Sequence, residues 1–104
     1  MYSCTALMIG ENDTHPCSWN TNGEYITADC HYKNLNNIPC GLPSNATRLK
    51  LGYNRIDQLR MGELENLPRL QKLELDNNPL KSVDKFSFRE LENLTEIRNG
   101  YINF

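Results

Sequence analysis

The fold is decided by the stretch Leu49-x-Leu51-x-x-Asn54-x-Ile56-x-x-Leu59, then Leu64-x-x-Leu67. The same pattern returns as Leu73-x-Leu75-x-x-Asn78-x-Leu80-x-x-Val83, then Phe88-x-x-Leu91. Every one of these positions recurs after 24 residues, and Leu70 and Leu94 form another such pair. An amphipathic helix would repeat about every three to four residues without the Leu-x-Leu alternation. The pattern therefore predicts stacked copies of one structural unit.

Elementary geometry explains what each position does. Side chains alternate between the two faces of a strand, so Leu49 and Leu51 both point inward and the residues beside them point to the opposite face. The apolar residues that follow, Ile56 to Leu67, return along the other side of the unit. One unit cannot bury its own leucines, whereas stacked neighbours can.

This pattern resembles that of leucine-rich repeats, whose period is about 20 to 29 residues. The resemblance implies an α/β-type solenoid with a short parallel sheet on its concave face and an irregular or helical convex side. It also implies an asparagine ladder at Asn54 and Asn78, which would satisfy the backbone groups of each buried turn. We expect a first repeat at 45–68, a second at 69–92 and the start of an irregular third at 93–104, where Asn99 and Ile102 depart from the pattern.

Residues 1–44 are predicted to form a cysteine-rich N-terminal cap. The segment 25–30 is rich in β-forming residues and predicts a strand. Leu35, Ile38 and Leu42 are expected to plug the end of the core. This arrangement is similar to the N-terminal cap of Toll-like receptor ectodomains. Variable lymphocyte receptors and glycoprotein-hormone receptors share the portion that corresponds to Ile38-Pro39 and Leu42-Pro43. Their caps have closely spaced cysteines, which this sequence lacks.

All four cysteines lie in the first 40 residues, at Cys4, Cys17, Cys30 and Cys40. An even number confined to one segment predicts a local disulfide framework. Three pairings are possible. We favour Cys17 with Cys30, which would close a hairpin around Gly23, and therefore Cys4 with Cys40.

Three sequons, at Asn12, Asn45 and Asn93, add weak support for N-glycosylation and the secretory pathway. We therefore expect an extracellular or cell-surface location. The start of the chain does not read as a signal peptide, so a signal is expected outside this chain. No stretch approaches the roughly twenty apolar residues of a membrane span. A membrane is expected only through other parts of a longer protein.

Composition and motifs argue against several other functions. The net charge is −2, which does not favour a nucleic-acid partner. A zinc site would need His15 and His31 with the cysteines, but the cysteine gaps lack the tight C-x2-C pair that zinc sites usually show. No catalytic arrangement or cofactor motif is present. We expect a non-enzymatic protein without a cofactor.

The concave face is the expected binding surface, because parallel strands present their outward side chains there in rows. Adding 24 gives the rows Arg48, Lys72, Glu96; Lys50, Glu74, Arg98; Gly52, Asp76, Gly100; and Tyr53, Asn77, Tyr101. The candidate binding residues are Arg48, Lys50, Tyr53, Lys72, Glu74, Asp76, Asn77, Arg98 and Tyr101. One alternative is internal pairing of Glu74 with Lys50 and Arg98. The other is a recognition patch anchored by Tyr53 and Tyr101.

We predict a protein-binding or recognition module that takes a protein or glycoconjugate ligand. The resemblance favours the N-terminal part of a Toll-like, innate-immune receptor ectodomain. The alternatives are a short secreted matrix or adhesion protein that self-associates through its open C-terminal edge, a lymphocyte-receptor-like or hormone-receptor-like ectodomain, and a cytosolic adaptor with reduced cysteines.

Overall fold

Seven short strands appear in a computed structural model, which describes residues 15–89 and 91–100. They are β1 Ser18–Asn22, β2 Tyr25–Asp29, β3 Arg48–Lys50, β4 Gln58–Leu59, β5 Lys72–Glu74, β6 Ser82–Val83 and β7 Glu96–Arg98. One sheet has the order β1-β2-β3-β5-β7, and β4 pairs with β6 in a second. The described residues contain no helix. The predicted solenoid is confirmed, with an irregular rather than helical convex side.

The large sheet is parallel except at its first strand. β1 and β2 form an antiparallel hairpin whose turn contains Gly23 at φ +63°, a left-handed conformation that glycine adopts without steric cost. Arg48 then pairs with Lys72, and Lys72 with Glu96, at the 24-residue spacing of the sequence. The cap strand joins at a spacing of 21, because Thr27 pairs with Arg48.

The core is one seam of stacked apolar side chains behind this sheet. Leu49 and Leu73, at equivalent strand positions, are 1% and 0% exposed, and Ala28 of β2 continues their line into the cap. Behind them the chain returns in consecutive tight turns, in which the amide of Leu67 donates to the carbonyl of Leu64 at 3.0 Å. The leucine side chains of adjacent repeats thus bury one another, as stacking requires.

The predicted ladder positions lie inside the turns that follow β3 and β5. The Asn54 side-chain oxygen accepts from the amides of Lys33 and Leu35 at 3.0 and 3.1 Å. Its nitrogen donates to three carbonyl oxygens, those of Cys30, Leu51 and Gly52. Asn78 repeats this arrangement one turn later, accepting from the Ile56 amide and also donating to the Leu51 carbonyl. Each amide therefore joins two neighbouring turns.

The cap is attached to the first repeat by a side chain as well as by strand pairing. Thr47, just before β3, accepts from the Ile26 amide through Oγ1 at 3.0 Å, and its own amide donates to the Ile26 carbonyl at 2.9 Å. Ile38 is buried against the end of the seam, and Leu35 and Leu42 pack there partly buried. The β2 strand ends at Asp29, one residue before the predicted limit.

A disulfide between Cys17 and Cys30 closes the hairpin, with 4.5 Å between the Cα atoms. This pairing is confirmed. Cys40 is disulfide-bonded as well, and Cys4, its predicted partner, lies outside the described residues. Asn99 is half-buried where Leu75 of the preceding repeat is fully buried. Ile102 lies outside the described residues, and the domain boundaries stay a prediction.

Candidate functional site: the concave face

The parallel strands place charged side chains in two rows on the concave face. The register partners are Arg48, Lys72 and Glu96 in one row and Lys50, Glu74 and Arg98 in the next. The residues between them, Leu49, Leu73 and Ile97, point to the opposite side and pack in the seam or at its end. Six charged positions thus share one surface.

Most carboxylates of this surface are already paired. Lys72 lies 3.0 Å from Glu96, and the guanidinium of Arg98 lies 2.9 Å from Asp76 and 3.5 Å from Glu74. The expected Lys50–Glu74 pair does not form within 4.0 Å. Glu74 instead approaches His31 and Arg98, since both present nitrogen toward its two oxygens. That part of the pairing expectation was wrong.

The cap strand extends the second row by one position, and this extension was not anticipated. The strand register places Asp29 of β2 opposite Lys50 of β3, although the two side chains form no ion pair within 4.0 Å. The ring of His31 lies 3.7 Å from Asp29 through Nδ1 and 3.9 Å from Glu74 through Nε2. It reaches Glu74 over Gly52, where an added Cβ would lie 3.3 Å from the His31 ring. A side chain at position 52 would therefore crowd this ring.

Two tyrosines stack at the edge of this face. The rings of Tyr32 and Tyr53 are 4.4 Å apart between centroids and inclined by 12°. We call these residues the tyrosine pair. They are 68% and 47% exposed, and both backbones are left-handed, at φ 56° and 58°, which is uncommon outside glycine, asparagine and aspartate. Desolvation raises the pKa of Tyr32, and the charge and hydrogen bond of Tyr53 raise it further.

The backbone fixes the tyrosine pair in position. The amide of Tyr32 donates to the carbonyl of Gly52 at 3.3 Å, and the amide of Tyr53 donates to the carbonyl of Asp76 at 2.9 Å. The His31 ring lies nearly perpendicular to both tyrosine rings, with 6.3 and 6.5 Å between centroids. An exposed aromatic surface held by main-chain bonds loses little freedom when a partner binds it.

The remaining predicted residues are spread more widely. Arg48 stacks over Tyr25 of the cap at 4.1 Å. Asn77 lies 24 residues after Tyr53, at the equivalent position of the next repeat, and is exposed with φ 60°. Tyr101 lies outside the described residues. Among the sequons, Asn45 and Asn93 are exposed, and Asn12 lies outside the described residues. Their glycosylation stays a prediction.

Sequence reasoning missed Asp29, His31 and Tyr32 as members of this face. The signal was present, because subtracting 21 rather than 24 aligns Ala28 to Tyr32 with Leu49 to Tyr53. The zinc-site alternative is the only role that the sequence pattern suggests for His31. The shorter cap spacing reflects a strand that enters from a hairpin instead of from a full repeat.

The described residues show no group of histidine, cysteine or carboxylate side chains that could hold a metal ion. The sulfurs of Cys17 and Cys30 are joined to each other. His15 accepts from the Cys17 amide through Nδ1 and donates from Nε2 to the Cys40 carbonyl, so both of its nitrogens hold the cap together. No helix long and apolar enough to cross a membrane occurs in the described part of the chain.

Known proteins match both the repeats and the shape. The sequence profile described as "Leucine rich repeat" matches residues 44–98. Rat "Leucine-rich repeat-containing protein 3" is 28% identical over 85 residues, which are 82% of this chain and 33% of that protein. Human "Immunoglobulin superfamily containing leucine-rich repeat protein" is 36% identical over 75 residues, 70% of this chain and 18% of that protein. The chain thus spans a third or less of these relatives.

A solved structure agrees with these sequence relatives. "Crystal structure of TLR13-ssRNA13 complex" superposes with a TM-score of 0.72 at 28% identity, covering 81% of this chain and 13% of that chain. The likeness includes the cap as well as the repeats, since it extends over more residues than the 44–98 segment. The stacked turns and the sheet described above therefore resemble the corresponding part of that solved chain.

Proposed function

Because this chain belongs to the leucine-rich repeat family, we propose that it is a non-catalytic, extracellular protein-binding module of a receptor ectodomain. The observation that carries the proposal is the concave face, where charged rows from three repeats meet an exposed tyrosine pair. Aromatic and arginine side chains on a rigid support are what protein interfaces favour at their centres. More specifically, the proposal is that this ectodomain has a Toll-like role in innate immunity.

The compartment is argued from the cap. Disulfides persist in oxidising environments and are rare in the cytosol, and the Cys17–Cys30 bond joins buried sulfur-bearing residues of the hairpin. Exposed Asn45 and Asn93 leave two sequons open to modification. Peptide mass mapping of protein secreted from eukaryotic cells, without reduction, reports both features. We expect the bond intact and a glycan on Asn45. Free thiols with unmodified asparagines would overturn the extracellular part of the proposal.

A protein ligand suits this surface better than RNA, although the structural relative was solved as an RNA complex. The net charge is −2, and Glu74, Asp76 and Glu96 lie within the charged rows. A phosphate backbone would meet these carboxylates along the strands, and nucleic-acid binding depends on an excess of cations. Mixed charge of both signs instead favours a complementary protein surface.

The binding test uses the secreted chain as a dimeric bait against a panel of secreted and cell-surface ectodomains. We expect a partner whose binding is lost with Arg48→Glu plus Lys72→Glu in the first concave row. The matched control, Arg69→Glu plus Lys81→Glu, makes the same charge change at exposed residues outside the concave rows and should keep binding. Loss in the control with retention in the concave variant would contradict the proposed face. Sedimentation of the same protein separates a foreign partner from self-association.

A further inference from the structure

The charges around the tyrosine pair are not balanced. Among described residues, Glu74, Asp76 and Glu96 each have an arginine or lysine nitrogen within 4.0 Å, and Asp29 has the His31 ring. Three cations of the same region, Lys33, Lys50 and Arg55, have no carboxylate within that distance. Arg98 serves both Glu74 and Asp76, and histidine counts as neutral at pH 7. The five lysines and arginines of this region therefore exceed its four carboxylates by one positive charge, although the whole chain is slightly acidic.

These cations lie beside the tyrosine pair in the chain and on a fixed backbone. Lys33 directly follows Tyr32, and Arg55 comes two residues after Tyr53; both are exposed. The amide of Lys33 donates to the buried Asn54 side chain at 3.0 Å, and the amide of Arg55 donates to the Leu35 carbonyl at 2.7 Å. The two turns that carry the aromatic rings thus also carry exposed cations that have no carboxylate within 4.0 Å.

We propose that the tyrosine pair with Lys33, Lys50 and Arg55 is an anchoring subsite for an acidic protein segment that carries an aromatic side chain. This proposal rests on the proposed protein-binding function. The partner's ring stacks on or beside the exposed tyrosine rings, as aromatic pairs prefer offset or edge contacts. Its carboxylates pair with the lysines and with the arginine, whose planar group binds a carboxylate through two parallel bonds.

The number and position of the charges define the partner. Three cations around one aromatic pair suit a few carboxylates next to one ring, whereas a long polyanion would continue onto the neighbouring carboxylates of Glu74 and Asp76. A short acidic segment can contact the cations without extending onto these carboxylates. This distinguishes an acidic peptide from single-stranded nucleic acid, which would also stack on tyrosine.

The experiment measures fluorescence polarisation of labelled probes with the full chain, disulfides intact. The probe is a short peptide alternating glutamate with phenylalanine. Its companions are the same peptide with lysine for glutamate, the same peptide with serine for phenylalanine, and oligouridine RNA. The tyrosine variant is Tyr32→Asn plus Tyr53→Asn. Asparagine tolerates the left-handed backbone and already occupies the equivalent position at Asn77, at φ 60°.

We expect binding of the acidic aromatic peptide, weakened at least about tenfold by the tyrosine variant and by Lys33→Glu plus Arg55→Glu. The control Arg69→Glu plus Lys81→Glu should leave the affinity unchanged. Circular dichroism verifies that each variant is folded. Equal binding of the serine peptide, preference for the lysine peptide, preference for RNA, or no binding of the acidic aromatic peptide would each overturn the subsite. Retention of an ectodomain partner in those cases would leave the proposed function standing.

Discussion

At the scale of single residues, we expect Asn54 to contribute more to the free energy of unfolding than any surface charge. It is 7% exposed and makes five side-chain hydrogen bonds to main-chain groups of the cap and the first turn. Asn54→Ala leaves the amides of Lys33 and Leu35 and the Cys30 carbonyl without these partners. Since each buried unsatisfied group costs about 1–3 kcal/mol, we expect a loss of about 3 kcal/mol or more in urea unfolding.

Two companions sharpen that prediction. Asn54→Asp keeps an acceptor for the two amides but turns a second oxygen toward three carbonyl oxygens, so it should be at least as destabilising as the alanine variant. Asn36→Ala removes the same amide at an exposed position and should change stability by under about 0.5 kcal/mol. Equal effects of Asn54→Ala and Asn36→Ala would show that the ladder bonds do not stabilise the turn.

Tyr32 supplies a pH prediction at the same scale. Its folded-state pKa is raised above 10.0, first by desolvation and then by Tyr53. A raised pKa means that the neutral phenol is the favoured form in the fold, so its contribution is complete below the unfolded pKa and is lost as pH rises through the folded pKa. Tyr53→Asn should shift the tyrosinate absorbance titration of Tyr32 to lower pH. An unchanged titration would contradict coupling through the tyrosine pair.

Sequence reasoning could identify the residues that recur at the 24-residue period. Asn54 and Asn78 stand 24 residues apart, and a buried turn has a chemical need for such amides. Tyr32 and His31 have no partner at that spacing, because the cap joins the sheet at 21 residues. The His31 ring also lies close to Gly52, where an added Cβ would be 3.3 Å from it, and only the folded arrangement brings these two residues together.

At the scale of elements, the β1–β2 hairpin depends on its crosslink. Only one of its ten strand residues, Ala28, is buried, so packing contributes little. The Cys17–Cys30 bond closes a sequence separation of 13 residues, which corresponds to about 3 kcal/mol of unfolded-state entropy. Cys17→Ala plus Cys30→Ala should lower stability by about that amount in urea unfolding.

A second variant separates the crosslink from simple packing at the buried Cys30. Cys17→Ala plus Cys30→Val places a side chain somewhat larger than cysteine at the buried position without restoring the bond. We expect it to remain within about 1 kcal/mol of the double alanine variant, since Ile-to-Val-sized volume changes cost about 0.5–1.5 kcal/mol. Full recovery of stability by valine would show that burial, rather than the disulfide, holds the hairpin.

The elements differ in how far the sequence determines them. The Leu-x-Leu motif predicts β3 and β5 because both leucines must face one side. The two-residue strands β4 and β6 follow from stacking: Gln58 meets Ser82 and Leu59 meets Val83 only once the repeats are in register. Their sequences carry no strand pattern of their own, so they could not be read before the fold was known.

At the scale of the whole molecule, the leucine seam is strongest where repeats lie on both sides. Leu70 and Leu94 are the same residue at the same repeat position, and the sequence predicts the same role for both. Leu70 is 0% exposed, whereas Leu94 is only partly buried and belongs to the last repeat that the structure describes. The period identifies the seam, but burial depends on which copies stand next to each other.

This difference gives a matched pair of substitutions. Leu70→Ala should cost about 3–5 kcal/mol in urea unfolding, the range for a fully buried leucine whose neighbours relax only partly. Leu94→Ala removes identical atoms from a half-covered site and should cost about half as much, with the same urea dependence of unfolding free energy. Equal costs would mean that further chain covers Leu94 as completely as its neighbours cover Leu70, and the seam would then continue at full strength past the third strand of the repeats.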